Sequence, residues 1–554
     1  RLDSLPQRER QALQGASVIG HVFWDQTLAA LDARAPAALP ALQRRELALP
    51  RNDAAAADDV REFAFSHKIL HDVTYDTVLK RRRRDLHARA ADWLASHSGT
   101  RAGEWLAAAA EHYARAGQLP QAAEFFARAA EHARSRHAHE AALAHTARAL
   151  ALLDGADSSM AAAERLALRW RLLVVREFTF ALLGRRDEQR PALDAMRQVA
   201  DSLDDDRARA LAARRRSQFG LRTGDFAMQE AAAKEAMAFA ARAGADESRL
   251  EAQRLLADAL GSQGRFAEGQ ALARIGLEQA RALGLQRVEG VFLNALSNMA
   301  GLQDDQVAGL AFDLQDLPIW RELGDKQGEI VALANVGADW LWFGRLDDAR
   351  QHLEEALRLC RAIGARQLEN GPLVDLALLA LWQDDAPRAL AVATEAIEVA
   401  GATQAREFEA DAWCTCGDAE LVLGHHESAA AAFERAESLA VAIGHGRRHQ
   451  ALAGRARVAQ AQGELQKAMG HVEVLLTRRA SGETWHGADA RLVLWTCYRV
   501  LACAGDPRAA EILASAHAEL QARAATISDA ALRESFVGNV PHHRAIAHAW
   551  AAIS

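Results

Sequence analysis

Apolar residues recur at every third and fourth position through most of the chain, the spacing that gathers them on one face of an α-helix. The segments 345–364 (RLDDARQHLEEALRLCRAIG) and 326–344 (KQGEIVALANVGADWLWFG) both follow it. Turn residues separate such segments at a fixed interval. Gly224, Gly264, Gly344 and Gly424 stand in a forty-residue phase that also falls on Asp304 and Asp384, with Gly463 one residue early. A second series lies twenty residues behind: Gly244, Gly284, Gly324, Gly364 and Gly444, with Gly401 three early. The repeating unit is therefore helix, tight turn, helix, loop.

One such pair cannot bury its apolar stripe alone, so tandem copies stack into a continuous core with an extended concave face. The pattern predicts an all-α fold, an α-solenoid of tetratricopeptide-like helix pairs. Each helix has room for about eighteen residues, or about 27 Å. Ala349 and Ala356 in one copy, and Ala429 and Ala436 in another, allow close helix approach.

Residues 1–95 do not follow the repeat. Helical patterns cover 2–20, 24–33 and 36–49, and turn-like, acidic residues in 51–61 precede a short alternating stretch from Glu62 to Ser66. Three short helices followed by a β-hairpin describe a small winged-helix domain. The expected organisation continues with irregular helical repeats over 96–183, which would act as a transmission region. A regular solenoid over 184–480 and C-terminal capping repeats over 481–554 complete it, with a loop at 481–489 and a last helix beginning near Pro541.

Composition narrows the function classes. The net charge of −8 and pI near 6.3 give no basic stripe for direct nucleic-acid binding. Arg81 to Arg84 read as a solvated helix boundary packed on acidic neighbours. No run of eighteen apolar residues is present, so no membrane span is expected. Five scattered cysteines suggest a reducing, cytoplasmic setting. The chain begins at Arg1 in mid-pattern and reads as a piece of a longer polypeptide.

The chain has no GxxxxGK[ST] loop, no GxGxxG after a strand and no HExxH. Neither a catalytic residue nor a metal site is expected. His67 and His71 have the spacing to share a helical face, which Asp72 or Asp76 could complete, but no Cys or third His stands near; the pairs His425–His426 and His542–His543 are expected at surface turns. Cys414 and Cys416, two apart on a helix, suit core packing, as do most of Trp320, Trp340, Trp342 and Trp382. Polar residues recur in one register on the first helix of successive pairs. Asp258, Asn298, Asn335, Asp339 and Asp418 are candidate groove residues for a protein or peptide partner, the alternative being plain solvent exposure.

Residues 5–28 (LPQRERQALQGASVIGHVFWDQTL), 62–94 (EFAFSHKILHDVTYDTVLKRRRRDLHARAADWL) and 111–133 (EHYARAGQLPQAAEFFARAAEHA) resemble a known region. It is the part that follows the ATPase domain in bacterial STAND-type signalling proteins with tetratricopeptide-like repeats, above all those fused to a class III adenylate/guanylate cyclase. The resemblance is specific over 1–135 and generic beyond. It implies an upstream AAA-like domain binding ATP or ADP with Mg, no cofactor in the present segment, and an intramolecular ATPase or output domain as partner. Self-association is compatible with it. His67 looks like the family histidine that approaches the nucleotide's β-phosphate, although the family motif often carries Asp where this chain has Lys68. The implied function is a non-catalytic sensor and transmission region regulating a cyclase. The alternatives are the repeat region of a STAND-type transcriptional regulator and a stand-alone protein-binding scaffold.

Overall fold

One local arrangement recurs at helix ends of this protein. At the end of the helix Asp206–Thr223, Gly224 takes the left-handed conformation (φ 72°). Its N–H donates to Leu221 O and the next N–H, of Asp225, donates to Gly220 O at 2.9 Å. These two bonds satisfy carbonyls that the helix leaves orphaned. Asp225 then caps the following helix by accepting from Met228 N. A stop and a start thus occupy two adjacent residues, which is why the connections are so short.

The computed structural model describes residues 2, 4–51, 61–97, 102–155, 160–303, 305–483, 485 and 488–553. They divide between two compact units, Arg1–Ala245 and Asp246–Ser554.

The first unit opens with α1 (Gln7–Ile19), β1 (Val22–Trp24), α2 (Asp25–Leu31), a 3-10 turn and α3 (Leu39–Arg44). Next come β2 (Ala48–Pro50), β3 (Glu62–Phe65), α4 (Lys68–Asp76) and α5 (Lys80–Ser96). The strands form an antiparallel sheet of order β1-β3-β2. The expected hairpin is β2 and β3; β1, whose three residues were not expected as a strand, completes a winged-helix-like sheet. The acidic turn at 52–60 lies outside the described residues. Alternation puts Phe63 and Phe65 inward against Phe23. Helix pairing then begins: α6 (Ala102–Ala116) with α7 (Leu119–Ser135), α8 (His139–Asp154), α9 (Ala162–Leu182) with α10 (Arg186–Leu203), and α11 (Asp206–Thr223) with α12 (Phe226–Arg242).

In the second unit the pairs are α13 (Asp246–Ser262) and α14 (Phe266–Ala282), α15 (Gln286–Leu302) and α16 (Gln306–Leu323), α17 (Lys326–Trp342) and α18 (Leu346–Ile363). After them stand α19 (Asn370–Trp382) and α20 (Ala386–Thr403), α21 (Arg406–Val422) and α22 (His426–Ala442), α23 (Arg447–Ala461) and α24 (Leu465–Ala480). The chain finishes with α25 (Ala490–Cys503), α26 (Arg508–Thr526), α27 (Ala530–Gly538) and α28 (Pro541–Ala551). The fold is an all-α solenoid of tetratricopeptide-like helix pairs with a period near forty residues, preceded by the small β-containing region. Ala349, Ala356, Ala429 and Ala436 are fully buried, as close packing requires. No helix among the described residues is long and apolar enough to cross a membrane.

Two turn assignments need correction or restriction. Gly401 lies inside α20, and Gln404 takes the left-handed position instead (φ 56°). Asp304 lies outside the described residues, whereas Asp384 does hold that conformation (φ 61°).

Candidate functional site: the groove of the second unit

The first helices of successive pairs stand side by side, α13 on α15, α17 on α19, α19 on α21 and α21 on α23. Residues one helical turn apart on each therefore line up across pairs. The C-terminal helices return to this row. Asn539 Nδ2 donates to Gly344 O at 3.0 Å, and Phe536 stacks on Trp342 with ring centroids 4.5 Å apart. Leu310 and Phe343 join Phe536 and Ile546 in one apolar cluster. Between the row and the returning helices lies a cavity of about 780 Å³. Trp342, Trp382 and Trp485 supply its aromatic walls; Asp375, Arg447, Asp489, Arg491, Glu519 and Arg523 supply its charge.

Charges are concentrated beside this cavity. Arg447, on α23, reaches across to Asp411 of α21 at 2.7 Å, and Arg457 reaches Asp418 at 2.6 Å. Burial pushes Asp375 up to about 7, reinforced by the nearby charge of Asp411. Further along, Asp313 of α16 accepts from Ser297 Oγ and, at 3.4 Å, from Asn335 Nδ2. The Asp339 carboxyl stands beside that of Asp313. Burial raises both carboxyls, and for Asp339 the neighbouring charge of Asp313 adds to the effect. Burial and Asp313 also lift Asp316 to about 8.

The anticipated groove residues fall into three groups. Asn335 and Asp339 come together around Asp313. Asp258 is tied to Arg254 one turn away on its own helix, with its carboxyl raised by burial, and Asp418 is buried against Arg457. Asn298 is exposed and bonds only to Asn294 at 3.2 Å among described contacts. His67 lies in the first unit, exposed, at the N-terminal boundary of α4, where its side chain makes no capping bond.

Asp313, Asp316, Asp375 and Arg447 were not anticipated. The only sequence signal was the presence of charges inside otherwise apolar helical stretches, such as DLQD at 313–316. The expected surface position of His542–His543 is wrong: both are buried, His543 to 2% exposure, because α28 packs on α25 and α26. Cys414 and Cys416 are buried, with burial pushing their thiols up to about 12 and 11, as core residues. Trp320 is core, whereas Trp342 and Trp382 line the cavity.

No protein-family model matches the chain, and no curated protein matches it. Among solved structures it is similar to a STAND protein with a tetratricopeptide-repeat sensor from Pyrococcus horikoshii, at 14% identity and TM-score 0.40. That match covers 86% of this chain and 65% of the archaeal one, so the chain spans less than two thirds of that relative's length. It is also similar to the apo form of RapI, at 12% identity and TM-score 0.44, over 65% of this chain and 97% of that one. A Rap protein in complex with competence and sporulation factor matches at 13% identity and TM-score 0.41, over 62% and 98% of the respective chains.

Proposed function

We propose that this chain is the non-catalytic sensor, protein-interaction and transmission region of a larger ATP-dependent signalling protein whose output is an adenylate/guanylate cyclase. The observation that carries the reading is an uncovered apolar face on the winged-helix-like region. Ile69 and Leu79 are each 78% exposed and Val73 50%. Ile69, Val73 and Asp76 share one face of α4, directly after His67, and exposed Arg81, Arg82 and Arg84 follow. Large apolar side chains grouped in this way suit coverage by another domain. The proposed cover is the nucleotide-binding domain of the same polypeptide, toward which His67 would offer a hydrogen bond to phosphate.

The partner-binding end of the proposal is the groove of residues 246–554, where Asn335, Asp339 and Asp375 would meet hydrogen-bonding groups of a protein or peptide and the tryptophans its apolar side chains. Subdivision at residues 95, 183 and 480 would give recognition region, transmission region, solenoid and cap. Regulation requires the partner to bind one arrangement more tightly than the other.

The test uses the full-length gene product, assayed side by side for ATP hydrolysis and cyclic-nucleotide formation, with a Walker-lysine variant as control. Cyclic product altered in the variant supports the reading. Hydrolysis without cyclic product moves the assignment to a transcriptional or other switch. If neither activity is found and no ATPase domain is encoded upstream, a repeat scaffold remains.

A further inference from the structure

The start of α28 and the start of α25 meet in a cluster independent of the reading above. One ligand-capable atom from each of Asp489, His542 and His543 lies within 4.8 Å of the others. Asp489 is fully employed. Its Oδ1 caps α25, accepting from Arg491 N at 3.0 Å and Leu492 N at 3.4 Å, and its Oδ2 faces His542 Nε2 at 2.8 Å. His543 is not. Its Nδ1 lies 2.9 Å from the carbonyl of Phe536, which can only accept, so Nδ1 carries the proton and Nε2 is a bare lone pair. That nitrogen is buried and has no hydrogen-bond partner among the described residues. A buried acceptor left without a donor is costly and calls for an explanation.

The arrangement matches a metal ligand with its outer shell in place. Ligating histidines characteristically donate their second ring N–H to a backbone carbonyl, which fixes tautomer and orientation. His543 does this through Phe536. The carboxylate likewise has one oxygen engaged by backbone N–H groups and one turned toward the histidines. Arg491 Nε lies 3.3 Å from Asp489 Oδ1, the oxygen that caps α25, and its guanidinium lies 5.7 Å from the ring centroids of Trp342 and Phe536.

We propose that Asp489 Oδ2, His542 Nε2 and His543 Nε2 form a site for a divalent transition metal of the zinc class. Two imidazoles and one carboxylate are a borderline donor set suited to Zn²⁺ rather than to Ca²⁺ or Mg²⁺. Metal–nitrogen and metal–oxygen bonds of about 2.0–2.2 Å would replace the present Asp489–His542 hydrogen bond with only local side-chain adjustment. A fourth position would remain for water or a ligand in the adjoining cavity, which Asp489 also lines. The metal would clamp the last helix to the start of α25 and so stabilise the closure of the second unit.

The test uses the untagged chain after treatment with chelator, titrated with Zn²⁺ by calorimetry and with Co²⁺ by visible absorption. The expected result is one metal per chain, the ligand-field bands of low-coordinate cobalt, and a rise in Tm. In His543→Leu, which removes the orphan acceptor without leaving a cavity, the chelated protein should fold while affinity falls by more than about tenfold. Asp489→Asn provides a second variant if His543→Leu does not fold. Absence of stoichiometric binding by the unaltered chain overturns the proposal, as does a folded His543→Leu or Asp489→Asn protein that keeps the same stoichiometry and affinity.

Discussion

A pair of buried histidines shows how single residues set the acid limit of the first unit. His87 Nδ1 and His112 Nδ1 are 2.8 Å apart, and Tyr75 OH lies 3.0 Å from His87 Nε2. Burial lowers His87 to about 3, with the neighbouring His112 adding to the effect, and burial lowers His112 to about 4. For a base depressed in the folded state, the stabilising contribution is complete above the unfolded value near 6.5 and is lost as pH falls through the folded one. Hydrogen-exchange protection of α5 and α6, taken relative to the intrinsic rate at each pH, should therefore fall between about pH 6 and 4, and His112→Phe should blunt that dependence. Raised carboxyls act in the opposite direction: their contribution is full below about pH 4 and declines as pH rises through the folded value. With Asp316 at about 8, the urea midpoint of the second unit should fall between pH 5 and 8, and by less in Asp316→Asn. Close approach is a third residue-scale constraint. A Cβ at Gly454 would lie 2.3 Å from Phe433 Cε1, and Phe433 is fully buried. Gly454→Ala should cost about 1–3 kcal/mol, measured by equilibrium unfolding. None of these partnerships was legible in the sequence. The helical periodicity places His87 and His112 on their helices, but residues twenty-five apart touch only through the packing of one helix on another.

At the level of elements much more could be read in advance, because helix ends are governed by near neighbours in sequence. The pairing of a left-handed stop with an Asp cap leaves a direct mark, seen at Gly224–Asp225 and Gly324–Asp325. It fails where a glycine is present for no turn. Gly401 is exposed inside α20 with open space where a Cβ would stand, while Gln404 bears the left-handed strain. Gly401→Ala should stabilise by about 0.5–1 kcal/mol and Gln404→Gly by about 1 kcal/mol. The two gains are read as shifts in the urea midpoint and need not add, being only one turn apart. Strand β1 escaped for a different reason. Three residues are too few for alternation to register; Val22, Phe23 and Trp24 are all residue types that strands favour, and pairing with β3 fixes them as extended.

Across a whole unit, the return of the C-terminal helices was the least visible feature, since repetition predicts only contacts between neighbouring pairs. Phe536 is fully buried among residues of α17, α25 and α28. Phe536→Ala should cost about 3–5 kcal/mol and hasten proteolysis of residues 527–553. The same return changes how the second unit folds. An open ladder of helix pairs loses its end members one at a time, each held only by the next. Here the contact of Asn539 with Gly344 spans 195 residues, so the last helices cannot leave without releasing the middle of the array, nor the middle soften without freeing them. Loop-closure entropy for so long a span exceeds that of a single forty-residue helix pair by only about 1.4 kcal/mol, at about 0.6 kcal/mol per doubling. Its kinetic effect is larger, because the closing contact must wait until the intervening pairs are stacked. Residues 344–539 should therefore melt as one block, slow to close and slow to open, in place of the graded fraying of a linear array.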